Sequence, residues 1–216
     1  MKTKTLTFLL TALIFYIGQF SFATEEKYIA DFEAVDPGEV PDDFLILEGE
    51  FAVREVEGNN LLELAPFPLS TFTLLLGSAE TEDVTIQARM KGDLQKRRFP
   101  VFGVGLSGIS GYRLQVNPAR KELELYRQEV VQATSDFSWK PDKWTVLLLQ
   151  VLKTPEGKWK VQGKAWVEGS MRPADWMVSY DESEEPLSGR PSLWGTPYAG
   201  KPIWFDDAVI TSNPVE

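Results

Sequence analysis

Apolar and polar residues alternate with a period of two along most of the chain. This alternation is typical of β-strands, because successive side chains point to opposite faces of a sheet. Turn-forming pairs such as Gly58-Asn59 and Asn117-Pro118 separate the alternating segments. Many short strands between such turns predict an all-β fold, a two-sheet antiparallel β-sandwich. The predicted strands are Lys27–Glu33, Phe44–Glu48, Phe51–Val56, Leu61–Ala65, Thr71–Leu76, Val84–Met90, Val101–Ser107, Tyr112–Val116, Glu122–Arg127, Trp144–Leu152, Lys158–Trp166 and Trp204–Thr211.

Two stretches depart from simple alternation. Trp144–Leu152 is apolar on both faces, which predicts a central strand that is covered on both sides. The stretch from Trp176 to Pro202 is rich in proline, glycine and acidic residues, and we predict an ordered loop region there. Within it, Asp181 to Glu185 is interpreted as a solvated acidic turn.

Four strands combine one aliphatic face with one polar face, and the polar faces of two of them carry an aromatic residue, Tyr126 and Trp166. If these strands share a sheet, their polar side chains lie together on its outer face and form a surface suited to a ligand. The alternative for each tryptophan is burial in the core, the commoner fate of large aromatic residues. Trp159 falls on the aliphatic side of its strand, whereas Trp166 falls on the polar side. The predicted ligand-binding residues are Arg89, Arg113, Gln115, Tyr126, Lys164 and Trp166.

The composition excludes several kinds of chemistry. The chain has no histidine and no cysteine, which rules out a Ser-His-Asp triad, a Cys-His pair, disulfides and sites that use histidine or thiolate as metal ligands. Its formal net charge is −10, so it should repel nucleic acids and anionic membranes. Hydrophobic residues make up 43% of the chain, which is enough for a sizeable core.

The N-terminus has the pattern of a secretory signal peptide. Lys2 and Lys4 precede an apolar run from Leu6 to Ile17, and Ser21-Phe22-Ala23 offers small residues for cleavage. A membrane anchor is the alternative, but the run is short for a bilayer and acidic residues follow it. We therefore predict a signal peptide over residues 1–23, one β-sandwich domain over residues 24–216, a secreted or periplasmic location and no stable membrane insertion.

The sequence resembles secreted concanavalin A-like jelly rolls, in particular laminin-G-like domains and domains of the 3-keto-disaccharide hydrolase type. The similarity rests on "ADFEAVDPGEVPDDF", "GYRLQVNPARKELELYR", "GKAWVEGSMRPADWMVSYDE", "SGRPSLW" and "IWFDDAVI". It extends over roughly Tyr28 to Thr211 and implies the fold more than an activity, since such jelly rolls serve as lectins, glucanases and modules without catalysis. It also implies that the stretch from Trp166 to Trp176 is largely architectural.

Candidate catalytic and metal-binding residues are all acidic. Glycoside hydrolysis needs two facing carboxylates, and Glu122 and Glu124 alternate on one polar face. Cross-strand salt bridges to Arg89, Arg113 or Lys164 are the favoured alternative for these two residues. The Glu-x-Asp-x-(x)-Glu pattern of the related family 16 glucanases does not occur on any predicted strand. A structural calcium ion is the other candidate, because hard oxygen ligands near both ends of a sandwich can converge. No calcium-loop spacing is present, and ordinary acids in turns at the strand ends are the favoured alternative, so no cofactor is expected beyond such an ion. The residues considered for calcium are Asp31, Glu33, Asp206 and Asp207.

Three functions therefore stand as hypotheses. The first is a secreted module that binds carbohydrate, or a glycan on a cell surface, on its concave polar face without catalysis. The second is a glycoside-cleaving enzyme of the 3-keto-disaccharide hydrolase type with Glu122 or Glu124 as acid/base. The third is an interaction module without a small ligand. The sequence leaves the sugar and the oligomeric state open.

Overall fold

The computed structural model describes residues 26–67, 70–80 and 83–212, and within these ranges it contains strands and turns but no helix. The all-β prediction is therefore confirmed. The predicted signal peptide, residues 1–23, lies outside the described residues. No helix that could span a bilayer occurs in the part of the chain that the structure describes.

The described strands are short and follow one another closely. They are β1 Glu26–Ala30, β2 Leu45–Glu48, β3 Phe51–Val56, β4 Asn59–Leu64, β5 Phe72–Leu75, β6 Val84–Lys91, β7 Val101–Leu106, β8 Tyr112–Asn117, β9 Glu122–Arg127, β10 Val130–Asp136, β11 Thr145–Lys153, β12 Trp159–Val167, β13 Val178–Glu182, β14 Ser192–Thr196 and β15 Ile203–Ser212.

These strands form two antiparallel sheets. The first sheet has the order β13-β12-β11-β6-β15-β4-β3, with β1 paired to β15. The second sheet has the order β10-β9-β8-β7-β14-β5-β2. In both sheets, distant parts of the chain become neighbours: β6 lies between β11 and β15, and β14 lies between β7 and β5.

One cluster of buried apolar side chains fills the space between the sheets. Ile86 and Met90 of β6 and Leu114 and Val116 of β8 are fully buried within it, as the alternation of each strand predicts. The strand β11 is buried on both faces and lies between β12 and β6, so its predicted central, doubly covered position is confirmed. We call the face of each sheet that points away from this cluster its outer face.

The predicted loop between Trp176 and Pro202 is wrong, because β13 and β14 lie inside it. The acidic stretch from Asp181 is likewise not wholly a solvated turn. Glu182 belongs to β13, is buried, and accepts hydrogen bonds from Tyr112 Oη at 2.9 Å and from Arg127. Prolines and glycines around these short strands resemble turn signals, and only pairing with distant strands makes the segments regular.

The expectation that the strands with polar faces share one sheet is also wrong. The strands β6 and β12 belong to the first sheet, whereas β8 and β9 belong to the second. Both sheets turn their apolar side chains toward the same core, so alternation cannot tell which sheet a strand joins. The predicted ligand-binding residues therefore divide into two groups on opposite outer faces: Arg89, Lys164 and Trp166 on the first sheet, and Arg113, Gln115 and Tyr126 on the second.

Candidate functional site

A groove of about 620 Å³ lies on the outer face of the second sheet. Its floor includes Thr73 of β5, Arg113 of β8 and Trp194 of β14. Its walls come from β2, from the segment that follows β7 and from the turn between β9 and β10. The lining residues are Leu47, Glu48, Thr71, Thr73, Ile109, Ser110, Arg113, Gln128, Glu129 and Trp194.

The guanidinium of Arg113 stands between two aromatic rings. Its Cζ lies 4.6 Å from the ring centre of Tyr126 and 4.7 Å from the ring centre of Trp194. Both distances are within the range of cation–π attraction. The residue is only 9% exposed, and its ion pair with Glu129 is long, with 3.5 Å between Nη2 and Oε2. The structure thus holds a buried cation at the floor of the groove.

Glycines in β7 make this stack possible. Gly105 lies opposite Arg113 on one side and Ser192 on the other, and Gly103 lies opposite Trp194. A Cβ on Gly105 would overlap Ser192 Oγ and lie 2.8 Å from Trp194 Nε1. Because β7 carries no side chain on this face at these positions, the Trp194 ring can cross the strand and contact Arg113.

Hydrogen bonds fix both rings. The Trp194 Nε1–H donates to Ser192 Oγ at 2.7 Å, and the Tyr126 hydroxyl donates to Glu124 Oε2 at 3.0 Å. Burial and the adjacent Glu124 carboxylate raise the pKa of Tyr126, so its hydroxyl keeps its proton and remains a donor. The rings therefore hold the Arg113 side chain in one orientation.

The carboxylate of Glu124 is fully buried beside this stack. Its Oε1 accepts from Asn117 Nδ2 at 3.1 Å and from Arg120 Nη1 at 3.3 Å. Its Oε2 accepts from Gln115 Nε2 at 2.7 Å and from Tyr126. Each oxygen thus has two donors, which matches the acceptor capacity of a carboxylate. Gln115 and Tyr126 therefore donate their hydrogen bonds to Glu124.

The two candidate catalytic acids, Glu122 and Glu124, have different surroundings. Glu122 is half-buried, and it lies opposite Asn117 in β8 and Asp136 in β10. The ionic partner of Glu124 is Arg120, whereas the cross-strand alternative had pointed to Arg89, Arg113 or Lys164. The arrangement of Glu124 is that of a structural hub, with its oxygens directed to internal donors.

The outer face of the first sheet carries a second arginine with carboxylate partners. The Nη2 of Arg89 lies 2.6 Å from Asp206 Oδ2, its Nη1 lies 2.9 Å from Glu168 Oε1, and its Nε lies 3.0 Å from Asp207 Oδ2. The indole of Trp144 packs on the guanidinium at 4.8 Å. Three carboxylates therefore surround this cation at short distances.

The segment between Trp166 and Trp176 also packs on the first sheet. Lys164 Nζ donates to the carbonyl oxygen of Pro173 at 3.0 Å and lies 4.4 Å from the ring centre of Trp176. Burial and the nearby Arg172 lower the pKa of Lys164. Arg172 lies 5.7 Å from the ring centre of Trp166, which is half-buried. These contacts give the segment an architectural role, and Trp166 lies on the side of its strand that the sequence predicts.

The acids considered for calcium have other partners. Asp206 is bound to Arg89 and to Asn59 Nδ2, at 3.0 Å, and Asp207 forms an ion pair with Arg89. Glu33 Oε1 accepts from the Asn60 N–H at 3.3 Å, and Asp31 Oδ1 accepts from the Glu33 N–H at 3.3 Å. In the described residues, no group of three or more such side chains is arranged to hold a metal ion.

Sequence reasoning found Arg113 but missed most of the groove. Trp194 and Ser192 lie in β14, which alternation did not reveal, and Glu129 lies in a turn. One signal was available in the sequence. Gly103 and Gly105 occupy positions of the same parity in a predicted strand, and such a pair indicates the close approach of another group.

Comparison with known proteins gives a structural likeness only. No family model matches the chain, and no curated protein matches its sequence. Among solved structures, the carbohydrate recognition domain of Emp46p, metal-free form, has a TM-score of 0.59 at 10% identity and covers 86% of this chain and 95% of its own. The exoplasmic/lumenal domain of VIP36, Ca²⁺/Man-bound form, has a TM-score of 0.57 at 9% identity and covers 88% of this chain and 91% of its own.

The fold is the concanavalin A-like β-sandwich. The structural resemblance extends over most of the described chain, and it confirms the fold that the sequence motifs indicated. The carbohydrate-binding module CBM66 from Bacillus subtilis is also similar, with a TM-score of 0.49 at 9% identity over 79% of this chain and 92% of its own. At these identities the likeness concerns the fold.

Proposed function

We propose that this protein binds carbohydrate in the groove on the outer face of its second sheet. The observation that carries the proposal is the Tyr126–Arg113–Trp194 stack at the floor of an open groove of about 620 Å³. The two rings fix a mostly buried cation on the outer face of the sheet, outside the core between the sheets. It presents a rigid surface to whatever enters the groove.

The lining of the groove suits the two kinds of surface on a sugar. Apolar contact is available from the Trp194 indole and from Leu47 and Ile109, which are 45% and 54% exposed. Sugar rings present C–H faces that pack on such groups. Hydroxyl groups of Thr71 and Ser110 can donate to and accept from sugar hydroxyls. This combination supports a carbohydrate ligand over a purely apolar one.

The shared fold supports the same function. One of the similar structures is a carbohydrate recognition domain, and the other is described in a Ca²⁺/Man-bound form. We propose binding without catalysis, because both oxygens of Glu124 are committed to internal donors. We also propose that the protein acts outside the cytoplasm, on the sequence pattern of residues 1–23.

A glycan array, followed by titration calorimetry with the best ligand, tests the proposal. Trp194→Ala should weaken binding by about 1–2 kcal/mol, because the indole forms part of the floor. Trp166→Ala is the matched variant on the first sheet and should leave affinity unchanged. The opposite result would move the ligand site to the first sheet, where the sequence pattern had placed Trp166.

The enzyme hypothesis has its own readout. Release of reducing sugar from an array-positive glycan, lost in Glu124→Gln, would show that Glu124 is catalytic and would overturn binding without catalysis. A protein that binds no glycan and releases no sugar would instead be an interaction module without a small ligand.

A further inference from the structure

We propose that the groove selects sugars that carry an anionic group, a carboxylate or a sulfate ester, and that Arg113 binds this group after Glu129 moves away. This inference rests on the proposed carbohydrate function and specifies the class of ligand. It predicts that the protein binds an anionic sugar more tightly than a neutral sugar with the same backbone.

The first argument is the state of the Arg113 cation. A buried charge is costly unless it is paired and hydrogen-bonded. Arg113 is only 9% exposed, yet its Nε is buried without a hydrogen-bond partner among the described residues. The rings of Tyr126 and Trp194 lie within cation–π distance of the guanidinium, and they accept no hydrogen bond from its N–H groups, which stay available to a ligand oxygen. The groove is the open space beside the guanidinium.

The second argument is the weakness of the resident partner. Glu129 lies in the turn between β9 and β10, its side chain is 80% exposed, and 3.5 Å separates its Oε2 from Arg113 Nη2. A carboxylate in water gains little from such a long contact, and it loses little by leaving. A ligand carboxylate or sulfate inside the groove could bind the guanidinium at a shorter distance and with two parallel hydrogen bonds.

The third argument concerns specificity. The chain carries a formal net charge of −10, and Glu48 also lines the groove. Long-range electrostatic repulsion from this negative charge therefore disfavours an anionic polymer. An anionic sugar can overcome this repulsion only by direct contact between its anionic group and Arg113. A neutral hydroxyl beside Arg113 would not replace the negative charge of Glu129. The chemistry of the floor thus favours an anionic sugar over a neutral one.

Two pairs of polymers with matched backbones test the preference. Polygalacturonate against its methyl ester tests the carboxylate, and dextran sulfate against dextran tests the sulfate. We expect at least one anionic member to bind about tenfold or more tightly than its neutral match in affinity electrophoresis, since charge-assisted bonds are the stronger ones.

Two substitutions identify the arginine. Glu129→Gln removes the resident carboxylate from an exposed turn and should strengthen anionic binding about two- to fivefold. Arg113→Lys keeps the charge but loses the planar fork, and it should weaken anionic binding about tenfold or more. Arg54→Lys is the matched control, because Arg54 is exposed, pairs with Glu63 at 3.5 Å and lies in β3 of the first sheet.

The outcomes separate this inference from the proposed function. Glycan binding in which both neutral polymers equal their anionic matches overturns the anionic preference and leaves carbohydrate binding in place. Anionic binding that is unchanged in both Glu129→Gln and Arg113→Lys overturns the role of Arg113. A protein that binds none of these polymers and no glycan on an array overturns both proposals.

Discussion

Arg89 and Arg113 project from the outer faces of the two sheets, and each packs on an aromatic ring. Their acidic partners differ. Asp206, which binds Arg89 at 2.6 Å, is 2% exposed, whereas Glu129, at 3.5 Å from Arg113, is 80% exposed. Two further carboxylates lie within 3.0 Å of Arg89. One cation is enclosed by acids, and the other is held by rings beside a groove.

The difference separates a structural arginine from one available to a ligand. Short hydrogen bonds to Glu168 and to the buried Asp206 use the Nη1 and Nη2 groups of Arg89 inside the fold, although its Nε, like that of Arg113, has no hydrogen-bond partner among the described residues. The rings around Arg113 stabilise its charge without using its N–H groups, which point from the edge of the guanidinium. Both side chains are mostly covered, at 22% exposed for Arg89 and 10% for Arg113, so the more exposed arginine is the one enclosed by acids and the neighbours decide the role.

The largest expected effect comes from removing the buried acid. Asp206→Ala should lower the free energy of unfolding by about 2–3 kcal/mol, because it removes the buried acceptor of both Arg89 and Asn59, although Glu168 and Asp207 remain beside the cation. Glu129→Ala is the corresponding change at the groove and should cost less than about 1 kcal/mol. Urea unfolding followed by tryptophan fluorescence measures both. Equal losses would remove the distinction between the two arginines.

The next largest effect is expected from filling the space above β7 that the Trp194 ring occupies. Gly105→Ala forces Ser192 or Trp194 to move, which should cost about 1–3 kcal/mol of stability and weaken glycan binding. Gly163→Ala is a matched control in β12, because its Cβ would meet Leu114 Cδ1 at 2.6 Å inside the core. Calorimetric titration of the folded variants with the glycan should show a loss of affinity in Gly105→Ala and none in Gly163→Ala. An unchanged affinity in Gly105→Ala would show that the Trp194 position is unimportant.

The contrast between the two faces also explains what the sequence could predict. Strands with clear alternation or continuous apolar character, such as β6 and β11, were located within one or two residues. The groove depends on β14, a short strand that follows Gly189 and Pro191 and becomes regular by pairing with β7 and β5. Sheet membership was not predictable, because both sheets share one core and impose the same alternation.

A smaller effect comes from replacing each arginine by lysine. Arg89→Lys should lose about 1–2 kcal/mol of stability, because one ammonium cannot reproduce the fork that contacts Asp206, Asp207 and Glu168. Arg113→Lys should lose about 1 kcal/mol or less, since it mainly loses stacking on the rings. Thermal unfolding of the two variants under one condition gives the order. A larger loss in Arg113→Lys would assign the stack a mainly structural role.

The smallest expected effect concerns Asp207, which forms an ion pair with Arg89 at 3.0 Å but whose side chain is 56% exposed. Burial, with repulsion from Asp206, raises the pKa of Asp207 despite the ion pair. An acid whose pKa is higher in the folded than in the unfolded state lowers stability as pH rises above its unfolded pKa of about 3.9. Asp207→Asn should therefore change stability by less than about 0.5 kcal/mol at pH 7, in the stabilising direction.

Asparagine also suits the backbone at this position, where φ is 47°, because it tolerates the left-handed region better than most residues. The stabilisation by Asp207→Asn should disappear below about pH 3, where aspartate is protonated in both states. Unfolding midpoints from pH 3 to pH 7 measure this trend. A clear loss of stability at pH 7 would mean that Arg89 depends on Asp207 as well as Asp206, and that the enclosure of this cation extends to its exposed partner.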